Sequence, residues 1–177
     1  MLIMLAGLPG TGKSAIAHRL ARLLPAVVLD KDQIRAALFP AERISYTSAQ
    51  DDFCLHVMLQ TATQLLHQQP SEAVILDGRT FSRRYQVELV EQHASQLHVP
   101  LIIVECRCSD TTARQRLTRD AAEGRHVAAN RTYELYQAIK ARFEPIRDPK
   151  IVVTTDQPLQ NVVQAVLAGI AQLSDAF

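Results

Sequence analysis

Five short runs of consecutive apolar residues recur along the chain, at Leu2–Ala6, Ala26–Asp30, Ala73–Asp77, Pro100–Cys106 and Ile151–Thr154. Continuous apolar runs of this length read as strands buried on both faces, the mark of a parallel sheet rather than a half-solvated antiparallel one. Between them, apolar residues return every three or four positions, as in helices packed on one face. Ala15–Leu24 places Ile16, Leu20, Leu23 and Leu24 on one side and stops at Pro25, and Asp32–Leu38 is a brief helix closed by Pro40. After a loop over Ala41–Thr47, the stretch Ser48-Ala49-Gln50-Asp51 resembles a capping box. It opens the longest helix, with Leu55, Met58, Leu59, Ala62, Leu65 and Leu66 at helical spacing up to Pro70. Further helices are predicted over Phe81–Leu97, from Asp110 to Gly124, and across Leu135, Ile139 and Phe143 to Pro145. The last carries Pro158 in its first turn and an apolar face of Val162, Val163, Val166, Leu167 and Ile170. Strand alternating with helix predicts an α/β chain of three layers, α/β/α, around a five-stranded parallel sheet. With no internal repeat, low-complexity tract or linker, residues 1–177 are expected to form one domain.

Open parallel sheets bind ligands beyond the carboxyl ends of their strands, so the residues that follow each apolar run carry the chemical information. After the first run comes Gly7-Leu8-Pro9-Gly10-Thr11-Gly12-Lys13-Ser14. This is G-x-x-x-x-G-K-[ST], the phosphate-binding P-loop, in the strand–loop–helix setting that gives the motif its meaning. Its glycines let backbone N–H groups approach phosphate oxygens, and the positive end of the following helix favours the same anion. Lys13 would neutralise the β- and γ-phosphates, and the Ser14 hydroxyl would ligate Mg²⁺. A glycine-rich turn that binds nothing is the competing reading, and the flanking strand and helix weigh against it. The motif implies a nucleoside triphosphate and leaves ATP against GTP open.

The other strand ends add charge. Asp30-Lys31-Asp32-Gln33-Ile34-Arg35 follows the second run, Asp77-Gly78-Arg79 the third, and Arg107 the fourth. A carboxylate can take a proton from a hydroxyl, and arginines can stabilise a transferring phosphoryl group. The plain alternatives are that Asp30 caps the next turn and that Asp32 and Arg35 form an exposed i,i+3 pair. Proximity to the P-loop favours functional roles for Asp32 and Arg35 on the substrate side. Asp77 ends a strand expected to flank the P-loop strand, which suits it to holding Mg²⁺. Arg79, Arg83 and Arg84 form a basic cluster, the last two divided between a solvated helix face and acceptor binding.

Composition narrows the partners. A formal net charge of +1 gives no electrostatic case for bulk nucleic-acid or membrane binding, and the absence of Trp argues against a base-stacking platform. Three cysteines, Cys54, Cys106 and Cys108, make neither a disulfide framework nor a zinc site. Cys106 and Cys108 are expected to pack as small hydrophobes. The apolar N-terminus lacks the basic region of a signal peptide and no run is long enough to span a bilayer, so the chain reads as cytoplasmic.

The motifs GLPGTGKS, DKDQIR, VILDG, RQRLTRD and YELYQAIKARFEP together resemble the small P-loop kinases related to polynucleotide 5′-kinase, zeta toxin and chloramphenicol phosphotransferase. The resemblance runs from Leu2 to about Thr155. It implies that Asp32 is the general base, that Arg35 contacts the acceptor, and that Asp77 lies on the acceptor and metal side. It also implies a helical lid over ATP at about residues 114–131, where Arg114, Arg116, Arg119, Arg125 and Arg131 surround a polar hinge. Closing such a lid would bring arginines to the phosphates and exclude water. Many relatives show R-L-x-x-R here; Arg116-Leu117-Thr118-Arg119 is one residue shorter, which leaves Arg116, Arg119 and Arg125 all open as the catalytic arginine, Arg119 first and Arg125 second. A switch GTPase would need an N-K-x-D motif that this chain lacks, and a motor or transporter ATPase would need a longer chain with a second composite-site signature. The expectation is an ATP- and Mg²⁺-dependent kinase acting on a small hydroxyl-bearing molecule. A nucleic-acid or nucleotide hydroxyl is the rival acceptor, and a regulatory module without turnover is the rival class. Tyr46 and His56 are candidates to line the acceptor pocket, whereas Phe53 is assigned to core packing.

Overall fold

The computed structural model describes residues 1–123 and 132–174. Among them, five strands are formed: β1 (Leu2–Ala6), β2 (Ala26–Asp30), β3 (Ala73–Asp77), β4 (Leu101–Arg107) and β5 (Ile151–Thr154). The sheet order is β2-β3-β1-β4-β5 and every pairing is parallel. The P-loop strand is therefore central and β3 is its neighbour, as expected. The helices are α1 (Lys13–Leu20), α2 (Lys31–Leu38), α3 (Ser48–Gln68), α4 (Arg84–Gln96), α5 (Asp110–Glu123), α6 (Tyr133–Lys140) and α7 (Leu159–Ser174).

Alternation along β1 builds the three layers. Leu2, Met4 and Ala6 join the core that faces α3 and α4, with Leu55, Met58, Leu59, Val87 and Val90. Ile3 and Leu5 join the core that faces α1 and α7, with Ile16, Leu20, Val162, Val163 and Val166. All five β1 residues have no exposed surface, which is why the run contains no polar position. Each fully buried aliphatic side chain contributes about 1.5–3 kcal/mol, so these two faces rather than helix propensity hold the layers together.

Helix boundaries depart from the apolar pattern in four places. α1 stops at Leu20, because i→i−3 bonds from Arg22 to Arg19 and from Leu23 to Leu20 tighten the chain into a turn before β2, leaving Leu23 exposed. α3 is capped by Thr47, whose Oγ1 accepts from the Gln50 amide at 3.3 Å, so the cap lies one residue earlier than the box read at Ser48. α4 begins at Arg84 rather than Phe81; Phe81 adopts a positive φ of 51° and fills the core under α3 instead. α6 ends at Lys140, and Phe143 reaches the core from the turn beyond it. Phe53 is also corrected: it is 53% exposed and meets Phe39 edge-on, outside the core. No described helix is long and apolar enough to cross a membrane.

Candidate active site

The strand ends open onto one cleft of about 460 Å³, lined by the P-loop, α2, the turn after β3, α5 and the segment after β5. Gly7 leaves β1 at φ 137°, and a Cβ there would stand 2.3 Å from the Cys106 carbonyl, so only glycine fits the loop against β4. Its amide donates to the Thr80 carbonyl at 3.0 Å, tying the loop to the turn after β3. Lys13 is 7% exposed and its Nζ donates to the carbonyls of Gly7 at 2.8 Å and Leu8 at 2.9 Å. The ammonium is thus folded back over the loop, inside the anion cradle that its backbone forms. Thr11 Oγ1 donates to the Leu8 carbonyl at 2.7 Å and closes the same turn. Ser14 follows on the first turn of α1 and lines the cleft with Pro9, Gly10 and Gly12.

Arg116 braces the loop from the other side. Its Nη1 donates to the Gly10 carbonyl at 3.2 Å and to Thr155 Oγ1 at 3.0 Å, and its Nη2 to the Thr155 carbonyl at 2.7 Å. Thr155 Oγ1 in turn donates to the Thr11 carbonyl at 2.9 Å. Ala113 and Leu117 of α5 pack with Tyr136 of α6, and Leu8 of the P-loop packs against this cluster. The Tyr136 hydroxyl donates to Asp110 at 2.7 Å, and burial followed by that carboxylate pushes the phenol's pKa up. Arg119 lies one turn beyond Arg116, 59% exposed at its side chain, lining the cleft and 3.8 Å from Asp120. Arg116 is therefore structural in part, whereas Arg119 and Arg142 are exposed arginines that line the cleft. Arg125 and Arg131 lie outside the described residues.

On the opposite wall, Asp30 takes the capping role: its Oδ1 accepts from the Asp32 amide at 2.8 Å and the Gln33 amide at 3.3 Å. This cap turns α2 so that Lys31, Asp32 and Arg35 face inward, at 7%, 7% and 1% exposure. Asp32 and Arg35 are thus a buried pair rather than an exposed one, with Arg35 Nη1 donating to Asp32 Oδ1 at 2.7 Å. Lys31 Nζ stands 3.3 Å from the same oxygen and 2.9 Å from Asp51 Oδ1, and Arg35 Nη2 also reaches Asp51. Both cations act on Oδ1, which orients Asp32 with Oδ2 remaining for another donor. Burial lowers the pKa of Lys31, opposed by the charge of Asp32. The Arg35 guanidinium lies 4.9 Å over the ring of Tyr46, which lines the cleft. His56 is exposed, with Nδ1 2.7 Å from the Asp52 carbonyl, and belongs to the surface of α3 rather than to the pocket.

Asp77 is wholly buried at the end of β3, in register with Asp30, and neither carboxylate oxygen has a hydrogen-bond partner. A buried carboxylate without donors is costly unless a cation completes it. The charges of both Lys13 and Asp77 act on the Cys106 thiol, whose pKa burial pushes up to about 12, so Asp77 and the P-loop ammonium share one neighbourhood. Oxygen donors from Asp77 and Ser14 suit Mg²⁺, a hard cation that keeps several of its waters. Arg79, across Gly78, is 3% exposed and pairs with Asp52.

Two of the charged positions left open by the sequence lie away from the cleft. Arg107 is turned out of the cleft, its Nε donating to Glu105 Oε1 at 2.7 Å. Glu144 accepts from the Arg83 side chain, at Nη1, at 3.0 Å and from the Arg84 backbone amide at 2.6 Å, which ties the chain after α6 to the start of α4. Three cleft residues were missed. Thr155 follows β5 directly and the strand-end rule points to it; Lys31 stands inside the DKD motif; Asp51 had no local signal, because only the packing of α3 on α2 brings it to Arg35.

A family model described as an AAA domain matches residues 2–146, in keeping with the resemblance read from the motifs. No curated protein matches the chain. Among solved structures, a gluconokinase from Sinorhizobium meliloti 1021 is 20% identical, with a TM-score of 0.70 over 98% of this chain and 93% of its own. The Mycobacterium tuberculosis APS kinase CysC in complex with AMPPNP and APS is 18% identical, with a TM-score of 0.68 over 96% of both chains. Chaetomium thermophilum Kti12 in complex with ADP-AlF3 is 17% identical, with a TM-score of 0.67 over 96% of this chain and 99% of its own. At these identities the likeness is one of fold, the P-loop α/β fold in which the first two are kinases.

Proposed function

This chain belongs to the AAA domain family, and from that premise we propose that it is an ATP-dependent kinase that transfers the γ-phosphoryl group to a hydroxyl of a small molecule. The observation that carries the reading is the buried carboxylate of Asp32, oriented by Arg35 and Lys31 in the same cleft as the P-loop lysine. Nucleotide binding alone gives no use for a carboxylate held on the wall facing the phosphates. The nucleotide-bound complexes of the APS kinase and of Kti12 support the P-loop end of the cleft as the nucleotide site.

In this mechanism the P-loop amides and Lys13 hold the β- and γ-phosphates and neutralise charge as it shifts toward the leaving oxygen. Ser14 and Asp77 would hold a Mg²⁺ ion, which would supply further positive charge to the phosphates. Asp32 Oδ2 accepts the hydroxyl proton as the hydroxyl oxygen bonds to the γ-phosphorus and the bond to the β-phosphate oxygen breaks, releasing ADP. Arg35 fixes the base and contributes to the acceptor pocket with Arg79. Arg119 reaches the transferring group from α5, with Arg125 the second candidate. Residues 1–177 act as one kinase domain in this reading, with the lid over about residues 114–131.

The test is ADP release by purified protein with Mg-ATP against separate panels of sugars and sugar acids, aminoglycosides, nucleosides and 5′-hydroxyl oligonucleotides. Acceptor-dependent release confined to small molecules is expected; release with oligonucleotides alone would move the activity to nucleic acid, and release with none would leave a binding module. Arg119→Ala is expected to lower kcat by about 10²-fold with little change in the KM for ATP. Arg116→Ala should chiefly raise the KM for ATP, since it frees the Gly10 carbonyl and Thr155. Steady-state kinetics separates the two, and unchanged kcat in Arg119→Ala would remove that residue from catalysis.

A further inference from the structure

The acceptor wall of the cleft buries more positive charge than is needed to orient one base. Lys31, Arg35 and Arg79 are 7%, 1% and 3% exposed and all line the cleft. Their hydrogen bonding is incomplete: Nε of Arg35 and both Nε and Nη1 of Arg79 are buried without a partner. Unmet N–H groups on a buried guanidinium are destabilising, more so than on a neutral group. The partners these cations do have come from the start of α3, where Asp51 meets Lys31 and Arg35 and Asp52 meets Arg79. Those two carboxylates are 27% and 28% exposed, so they lie at the rim while the cations lie within.

Arg79 also declines the nearest buried anion in sequence. Asp77, two residues away, keeps both oxygens without a hydrogen bond, because Gly78 turns between them at φ 85°. A Cβ at Gly78 would stand 2.9 Å from Asp30 Oδ1 and from the Lys31 amide, so this turn also packs against the start of α2. One loop thus buries an anion and a cation that do not satisfy each other. Asp77 would be completed by the Mg²⁺ proposed above; Arg79 calls for anionic oxygen from elsewhere.

We infer that the acceptor is an anionic hydroxyl compound, whose carboxylate or phosphate is held by Arg79, Arg35 and Lys31 while its hydroxyl faces Asp32. The hydroxyl half of this statement rests on the kinase reading; the anion site does not. A neutral polyol could accept from the guanidinium N–H groups only through weaker hydrogen bonds that carry no compensating charge, and a cationic acceptor would be repelled by the three buried cations. Asp51 and Asp52 hold the cations until the anion arrives, and their partial solvation lets them turn to water when it replaces them. Guanidinium pairs with carboxylate and phosphate are the strong, geometrically specific class of hydrogen bond, which suits them to select one acceptor among similar polyols.

Calorimetric titration of the full chain, with the P-loop filled by saturating Mg-ADP, tests the anion site apart from turnover. The probes are D-gluconate against D-glucitol, and D-ribose 5-phosphate against D-ribose, so that the two arms distinguish carboxylate from phosphate. At least one anion is expected to bind about tenfold or more tighter than its neutral counterpart. Arg79→Met should weaken that anion about tenfold to a hundredfold with ADP affinity unchanged, and Arg79→Lys should recover part of the loss. Should Arg79→Met fail to fold, Lys31→Met and the wild-type comparison carry the same test. Equal affinity for charged and neutral probes, or no binding of either anion to the ADP-loaded protein, overturns the inference. Anion binding without phosphoryl transfer in the matching Mg-ATP assay keeps the anion site and removes the kinase reading. Transfer to the neutral probes with equal kcat/KM does the reverse.

Discussion

Lys13→Ala is expected to abolish turnover, lowering kcat by at least about 10³-fold whatever the acceptor. Its Nζ is held 2.8 and 2.9 Å from the carbonyls of Gly7 and Leu8, so the ammonium is already placed within the loop before a nucleotide binds. A charge fixed in advance costs no reorganisation when negative charge moves from the γ- to the β-phosphate oxygens, which is why its removal weighs on the transition state. The fold should survive, because the cores of the two sheet faces do not draw on Lys13. ADP release under saturating Mg-ATP, with circular dichroism to check the fold, reads the effect. Wild-type turnover in a folded Lys13→Ala protein would remove the P-loop from the chemistry.

The second large effect is expected at Asp32. Asp32→Asn should keep ATP affinity and lose about 10²–10⁴-fold in kcat, the usual contribution of a general base. Asparagine preserves the shape of the side chain, and its amide oxygen can still accept from Arg35 Nη1, which now donates at 2.7 Å. What it loses is the capacity to take a proton. The hydrogen bonds of Asp32 lie within α2 and its neighbours and none reaches the P-loop, so nucleotide affinity provides an internal control. Fluorescence titration with an ATP analogue and initial-rate kinetics separate the two quantities. A kcat within twofold of wild type would make Asp32 a positioning residue for Arg35 and Lys31.

Sheet and P-loop were legible in the sequence because both are written locally. β1, β2, β3 and β5 match the apolar runs residue for residue; β1 and β3 are buried throughout and admit no polar residue before their ends, while the edge strands β2 and β5 keep the apolar pattern although they are only partly buried. The failures share one cause. Phe81 has the composition to begin a helix, yet the turn needed to bury Arg79 occupies that stretch and the helix begins at Arg84. Asp51 reads as part of a capping box and Asp52 carries no local signal, and only the packing of α3 against α2 and the turn after β3 makes them partners of buried cations. Arg107 reads as a strand-end cation and Arg83 as part of a basic cluster, and their carboxylate partners lie where local periodicity cannot assign them. Among the site residues, the phosphate side was therefore legible and the acceptor side only in part.

The sheet order carries a consequence for how such a chain can diversify. Arg116, Thr155, Thr11 and Gly10 form one hydrogen-bonded network on the side of β4 and β5, and Lys31, Asp32, Arg35 and Asp51 form another on the side of β2 and β3. The two networks have no residue in common. Under the proposed function the second network serves the acceptor and the first the nucleotide, so substitutions confined to the second would let acceptor choice drift under selection while the bonds of the first stay in place. A single gene lineage on this scaffold can in that way explore many substrates without passing through forms that have lost their grip on the phosphate donor.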